Sequence, residues 1–414
     1  MPDGRVLIVG GGLIGLSCAW FLRRAGADVV VVEAGERTGG GASRGNAGAI
    51  CPSMTEPLPA PGMIGEVLAN LRRSDAALYV HPRAAPSLAG FVARFAAAAT
   101  HRRFEGGLAA MASLARGVIP AYDELAAAGI GSHARHDGYL FAHADPDAAV
   151  DERAHIARMS SLGLCAEPGE VLGGSALRDA EPALGPAAIA GFVLPGERWV
   201  EPSVFVDELT EASIASGVAI RTGTGAVRID TFEDGVEVLL AGGERVDVAE
   251  VVVAAGAWTP SLIGRLGVHL PVVPGKGYSF EVRPHVMPRR VIHLSSAHVV
   301  VSPAGERVRI AGTMEFDGTF DRFREGRVGA IVRVAQGFLD MDLTARRDEW
   351  VGPRPMTPDG LPYLGRVPGH ERVVVAAGHN MLGLTLAPVT GRAIAGLIMA
   401  ADPGLDLSPF ALDR

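Results

Sequence analysis

A stretch of about thirty residues at the start of the chain constrains the fold most. Arg5-Val6-Leu7-Ile8-Val9 reads as a buried parallel strand, and Gly10-Gly11-Gly12-Leu13-Ile14-Gly15 follows it directly. Leu16 to Ala25 has helical apolar spacing, Gly26 stops that helix, and Asp28-Val29-Val30-Val31-Val32 is a second buried strand ending at Glu33. This is a complete β-α-β unit. In Gly10-x-Gly12-x-x-Gly15 the first glycine permits a tight turn, the second lets a pyrophosphate approach the backbone, and the third lets helix and strand pack closely. The helix N-terminus offers unpaired N–H groups to the phosphates. Glu33 stands where an acid accepts hydrogen bonds from ribose hydroxyls, which disfavours a 2′-phosphate. The spacing therefore predicts a dinucleotide site that takes FAD or NAD rather than NADP.

Composition narrows the function classes. The chain has 414 residues, 48% apolar and 20% charged, with a formal net charge of −8. That balance supports a large core and lacks the basic footprint of a nucleic-acid binder. Cys18, Cys51 and Cys165 lie far apart, so no disulfide framework or zinc spacing is expected. No signal-peptide pattern and no apolar run of membrane-spanning length is visible, which points to a cytoplasmic setting. Lys276 is the single lysine, and asparagine occurs only at 46, 70 and 380. A chain so depleted in both types marks the survivors as candidates for positions without a substitute; Asn70 has no motif around it and is assigned nothing.

Further elements are expected along the chain. Residues 36–62 form a long Gly/Ser/Pro-rich loop of the kind that carries function. Residues 87–128 are helical and Ala-rich, strands fall at 138–143 and 189–194, and a helix at 204–216. Strands recur at 218–221, 226–230, 235–240, 246–253, 272–282, 298–302 and 308–312. A helix fits 325–339, a short strand 373–377 and a last helix 384–400. With no clean linker, two domains are expected to interleave.

Two segments separate FAD from NAD. Val251-Val252-Val253-Ala254-Ala255-Gly256-Ala257-Trp258 runs from a strand into small residues that let backbone pass close to a cofactor. Gly378-His379-Asn380-Met381-Leu382-Gly383-Leu384-Thr385 opens the final helix, whose positive dipole end suits the edge of a flavin that gathers negative charge on reduction. Their occurrence together in this order favours FAD.

With these residues in view, the chain resembles the D-amino-acid oxidase superfamily of FAD enzymes over nearly its whole length, and within it the bacterial D-amino-acid dehydrogenases, with glycine and sarcosine oxidases as cousins. The carrying motifs are Gly10–Glu33, Ser43-Arg44-Gly45-Asn46-Ala47-Gly48, Pro274-Gly275-Lys276-Gly277-Tyr278-Ser279, and Trp350-Val351-Gly352-Pro353-Arg354-Pro355-Met356-Thr357-Pro358-Asp359-Gly360. The resemblance implies an α/β protein: a Rossmann-like FAD-binding domain (1–85, 200–268 and 345–414) interleaved with a substrate domain on a mixed/antiparallel sheet (86–199 and 269–344). It implies FAD contacts at Gly10, Gly12, Leu13, Ile14, Gly15, Glu33, Ala34, Ser43, Asn46, Ala47, Gly48, Val227, Ala255, Gly256, Trp258, Gly352, Gly378, Leu382, Gly383, Leu384 and Thr385. Sarcosine oxidases that hold FAD covalently carry a cysteine at the place of Gly352, so FAD is expected to be non-covalent.

The implied reaction is oxidative deamination of a D-amino acid: a hydride passes from Cα to flavin N5, and the imino acid hydrolyses to a 2-oxo acid and ammonia. Arg354 is expected to clamp the substrate carboxylate. Lys276 is expected near the flavin, tuning its potential or its reaction with O2. Tyr278, His379 and Asn380 are expected at the substrate. An N-methyl or cyclic amino acid, a 2-hydroxy acid, or a role as the FAD subunit of a larger electron-transfer complex remain alternatives. The expected partners are an amino-acid or amine substrate and an electron acceptor, quinone or O2, with no nucleic acid. Residues 87–100 read as a core-facing helix, with peripheral contact on the inner membrane face as the rival reading.

Overall fold

The structure is a computed structural model that describes residues 4–63, 65 and 76–414; Asn70 lies outside the described residues. A six-stranded sheet runs in the order Tyr363–Val367, His370–Ala377, Glu250–Val253, Arg5–Val9, Asp28–Val32, Ala219–Arg221. All neighbours are parallel except Tyr363–Val367, which turns back on His370–Ala377. Both faces are covered, so the strands read as unbroken apolar runs rather than alternating ones. Leu7, Ile8 and Val251 to Val253 are fully buried. The strand boundaries Arg5–Val9 and Asp28–Val32 are those expected from the sequence.

The helices Leu13–Arg24 and Gly383–Ile398 pack on this sheet and on each other. Their close crossing needs Gly391, where a Cβ would lie 2.6 Å from the Ser17 backbone. A three-stranded antiparallel unit of Ala226–Thr231, Val236–Leu240 and Arg245–Val248 precedes the return to the sheet.

A nine-stranded sheet forms the second layer. Its order is Arg347–Met356, Val273–Val282, Arg307–Phe316, Val299–Ala304, Val291–Leu294, Tyr139–His143, Ala190–Leu194, Leu172–Gly173, with Leu78–Val80 joining on Arg307–Phe316. Two of its pairings are parallel, Val291–Leu294 with Tyr139–His143 and Leu78–Val80 with Arg307–Phe316, so the sheet is mixed. Two expected domain boundaries shift. Arg347–Met356 bonds to Val273–Val282, so the chain leaves the second sheet after Met356 and not at 345. Leu78–Val80 likewise enters that sheet before 85.

The Ala-rich stretch is three helices, Ala85–Ala98, His101–Ala115 and Val118–Ala127. The first turns Leu88 and Phe91 onto a cluster with Met314, Phe316 and Met356, as the core-facing reading expects, and leaves its other side exposed. Among the described residues, no helix is long and apolar enough to cross a membrane.

Candidate active site

A cavity of about 1220 Å³ opens between the two sheets. At its first end the β-α-β unit builds a cradle. Gly10 has φ +113°, and a Cβ there would lie 2.5 Å from the Ala254 carbonyl oxygen. A Cβ on Gly15 would come within 1.9 Å of the Gly10 oxygen. Glu33 accepts from the Gly11 N–H at 2.7 Å and the Gly35 N–H at 2.8 Å, so its carboxylate is fixed at the strand end. The Ser43 hydroxyl accepts from the Leu13 N–H at 3.2 Å and ties the long loop to the helix start.

Of the expected FAD contacts, Gly10, Gly12, Leu13, Ile14, Glu33, Ala34, Ser43, Asn46, Ala47, Ala255, Gly256, Trp258 and Leu382 to Thr385 line this cavity. Five do not. Gly15 serves the packing of helix on strand. Gly48 (φ +74°) abuts Trp199 and the Val200 carbonyl, and Gly378 (φ +81°) abuts Thr357. Gly352 is pressed against the Trp350 ring. Val227 faces solvent, and the preceding Gly225 and Ala226 line the wall in its place. Also on the wall, and not singled out from the sequence, are Gly40, Gly41, Ala42, Gly45 and Cys51. Only Gly45 fell within a quoted motif. The unusual glycine density over 39–48 was the signal available for Gly40, Gly41 and Ala42; Cys51 carried none.

The wall fits FAD. Glycines leave room where a Cβ would intrude, an acid stands at the ribose position, and two helix starts, at Leu13 and Gly383, present first-turn N–H groups that the helices themselves leave without partners. Cys51 lines the cavity with its N–H donating to the Thr385 hydroxyl at 3.2 Å. Burial pushes its thiol up to about 12, which leaves it unreactive.

At the second end, Arg354 reaches the cavity from the edge strand Arg347–Met356. Its Nη1 donates to the Thr313 carbonyl at 2.7 Å and lies 3.8 Å from the Met314 sulfur. Among the described residues, no carboxylate pairs with it. Burial alone pulls its pKa down to about 10. Tyr278 also lines the cavity, its hydroxyl donating to Glu315. His379 lines it too, with Nε2 3.0 Å from the Thr390 hydroxyl. Burial pulls His379 down to about 3, so it is neutral at ordinary pH.

The structure gives two expected residues other work. Asn380 (φ +52°) accepts from the Thr357 N–H at 2.8 Å and donates to the carbonyls of Gly360 at 2.9 Å and Gly378 at 3.1 Å. Its amide is spent on shaping the loop, although the residue borders the cavity. Lys276 does not reach the cavity wall. Its Nζ donates to Asp317 at 2.9 Å, Thr319 at 3.2 Å and the Arg322 carbonyl at 2.7 Å, and lies 3.2 Å from Glu315. An ammonium has three donors, and all three are used. Lys276 and Tyr278 share a strand face as their spacing implies, with Nζ 5.9 Å from the ring centroid. That face ends in the buried acids rather than at a cofactor.

A dinucleotide cradle joined to a cavity with a guanidinium on its wall, without an acidic partner among the described residues, defines a flavoprotein. The chain belongs to the FAD-dependent oxidoreductase family, whose model matches residues 5–397. It is similar to the D-amino acid dehydrogenase of Xanthobacter autotrophicus, 31% identical with 99% of each chain covered. It is 31% identical to the D-amino acid dehydrogenase of Rhizorhabdus wittichii, with 99% of this chain and all of that one covered. Among solved structures, glycine oxidase from Geobacillus kaustophilus superposes with a TM-score of 0.75 at 26% identity, covering 100% and 99% of the two chains. Iminodiacetate oxidase from Chelativorans shares the fold at a TM-score of 0.75 and 23% identity, with 98% of each chain covered.

Proposed function

We propose that the chain oxidises the Cα–N bond of a D-amino acid, yielding an imino acid that water hydrolyses to a 2-oxo acid and ammonia. The observation that carries this reading is Arg354, a guanidinium on the cavity wall with no acidic partner among the described residues. A buried cation without a counter-charge is costly, and a substrate carboxylate supplies that charge through two parallel hydrogen bonds. Full-length similarity to D-amino acid dehydrogenases supports an amino acid of D configuration.

When bound, FAD supplies the two-electron acceptor. The protein supplies orientation and field. Arg354 holds the carboxylate end, and its positive charge disfavours the neighbouring substrate ammonium, easing loss of a proton to give the reactive neutral amine. The acids on the wall stand elsewhere. Glu33 is held by the Gly11 and Gly35 N–H groups, and Asp321 follows Phe320, which stacks on Trp258 at 5.0 Å. His379 is neutral and adds no charge. The small residues of the cradle and the helix start at Gly383 hold the dinucleotide.

Anaerobic titration of the purified yellow protein tests this. Bleaching by D-amino acids and not by L-amino acids, N-methyl amino acids or 2-hydroxy acids is the expected result. Bleaching by any of the others alone would replace the substrate assignment.

The electron acceptor is a quinone met at the inner membrane face, on this reading. The helix Ala85–Ala98 supports it by leaving its outer side exposed, with Val92 at 52% exposure and Arg94 exposed on the same helix. Such a helix binds lipid by burying apolar area next to cationic side chains. Co-sedimentation of the holoprotein with anionic vesicles, lost in Val92→Asp, is the expected outcome.

A further inference from the structure

The strand Arg307–Phe316 carries a bulge at the cavity. Lys276 pairs with Glu315 and Tyr278 with Gly312, so Thr313 and Met314 together face the single residue Gly277. Bulges re-aim a side chain and are common beside active sites. Within it Thr313 has φ +56°, an uncommon conformation for a β-branched residue and one that costs free energy. Its carbonyl accepts from Arg354 Nη1 at 2.7 Å. Thr313 lines the cavity, is only 7% exposed, and among the described residues its buried hydroxyl has no hydrogen-bond partner. A buried hydroxyl left unpaired costs about 1–3 kcal/mol unless something satisfies it.

The geometry points to Thr313 as the residue that receives the substrate amine, beside the carboxylate held by Arg354. This rests on the amino-acid reading given above. The carboxyl and amino groups of an amino acid share one carbon, so the amine of a substrate clamped by Arg354 falls next to that guanidinium. Thr313 is tied to the guanidinium through its own carbonyl, and its hydroxyl oxygen has free lone pairs to accept an amine N–H. The choice of a neutral acceptor has a chemical consequence. A carboxylate there would stabilise the ammonium and raise its pKa, whereas a hydroxyl recognises the amine without doing so. Two-point attachment then fixes where Cα lies.

A pair of unreactive, achiral ligands isolates the amine contact. 2-Aminoisobutyrate carries both groups and has no hydrogen on Cα; isobutyrate carries only the carboxylate. Calorimetric Kd values for both, on the FAD-loaded oxidised protein, are the readout. In Thr313→Val the Kd of 2-aminoisobutyrate should rise about fivefold to tenfold, the loss of one hydrogen bond. The Kd of isobutyrate should change less than twofold. Thr313→Ser keeps the hydroxyl and should restore the preference for the amine-bearing ligand. Thr313→Gly relieves the backbone, removes the hydroxyl, and carries the same expectation as Val if the Val variant does not accumulate. Arg354→Ala should weaken both ligands together. A Thr313→Val protein that loses both ligands equally, or neither, overturns the assignment. Wild-type protein that binds neither ligand and is not bleached by any amino acid overturns the functional reading itself.

Discussion

A Cβ placed on Gly277 would stand 2.3 Å from Cζ of Arg354, so the guanidinium occupies space that only a glycine leaves open. The two residues lie on neighbouring strands, Gly277 pairing with Gly352 and Gly275 with Arg354. Gly277→Ala should therefore push the guanidinium off its position at Thr313 without touching the dinucleotide end. The expected outcome is a KM for the amino acid raised about tenfold, with flavin content unchanged. Arg354→Ala should lower kcat/KM by about a hundredfold, since a charge-assisted bidentate contact is worth roughly 3 kcal/mol. Steady-state kinetics beside the visible flavin spectrum separates the two ends. An unchanged KM in both variants would remove Arg354 from the substrate site.

The cradle makes an independent prediction. Gly15→Ala places a methyl group 1.9 Å from the Gly10 carbonyl oxygen, which is backbone and cannot swing aside. Helix Leu13–Arg24 must then move away from strand Arg5–Val9, taking its N-terminus with it. Overpacking of this kind costs about 1–3 kcal/mol. The protein should purify pale, and its melting temperature should gain less from added FAD than wild type does. Retention of stoichiometric flavin would show that the helix start is not a phosphate contact.

Lys276 tests the boundary between site and scaffold. Its ammonium faces Glu315 and Asp317, all three side chains being fully buried. Arg324 adds a second cation to the same acids. Removing one partner of a buried pair costs about 3–5 kcal/mol, because a charge is left behind. Lys276→Met should thus lose stability in denaturant melts, while the folded fraction keeps wild-type turnover. The pH signature has a definite sign. Lys276 and the Thr319 groups hold Asp317 down to about 2, against the desolvation that opposes them. The resulting stabilisation is present above the ordinary carboxylate range and is lost as pH falls through about 2. In the variant that acid-side loss should be smaller and complete at higher pH. A variant of wild-type stability with altered reoxidation would return Lys276 to the cofactor.

How far the sequence reveals this protein depends on how local each signal is. The strands Arg5–Val9 and Asp28–Val32 are legible because unbroken Val and Leu runs have one stable use, burial on both faces of a parallel sheet. Glu33 and the Gly10–Gly15 turn are legible because their spacing is their chemistry. The helix Pro146–Ser161 is hidden because it buries only Ala149, Ile156 and Met159, too thin a stripe to register as a period. The strand Arg347–Met356 is hidden because Gly352, Pro353 and Pro355 lower its strand propensity; it is an edge strand, where proline is tolerated. Thr313 carries no local signal at all. Its role comes from a bulge set by the register of two strands distant in sequence, with Tyr278 paired to Gly312 and Lys276 to Glu315 on either side of it. Lys276 misled for the opposite reason: its rarity marks a position without a substitute, and that position is an ion cluster.

Glu197 gives the last prediction. It is 2% exposed, one carboxylate oxygen accepts a 3.3 Å bond from the Ser53 N–H, and Ser53, through its N–H and hydroxyl, is the hydrogen-bonding residue that offsets its burial. Burial pushes its pKa up to about 8, so the folded protein carries it protonated at neutral pH. The unfolded chain releases that proton at the ordinary carboxylate value near 4.5. Between those values the native state binds the extra proton, so stability falls as pH rises. The contribution is fully present below about 4.5 and is gone once pH passes about 8. Glu197→Gln cannot ionise and should flatten this slope. The variant should match wild type near pH 4 and exceed it at pH 8, by an amount on the order of a few kcal/mol. Urea melts across that range read the difference, and parallel slopes in the two proteins would mean that Glu197 ionises in the folded state as freely as in water.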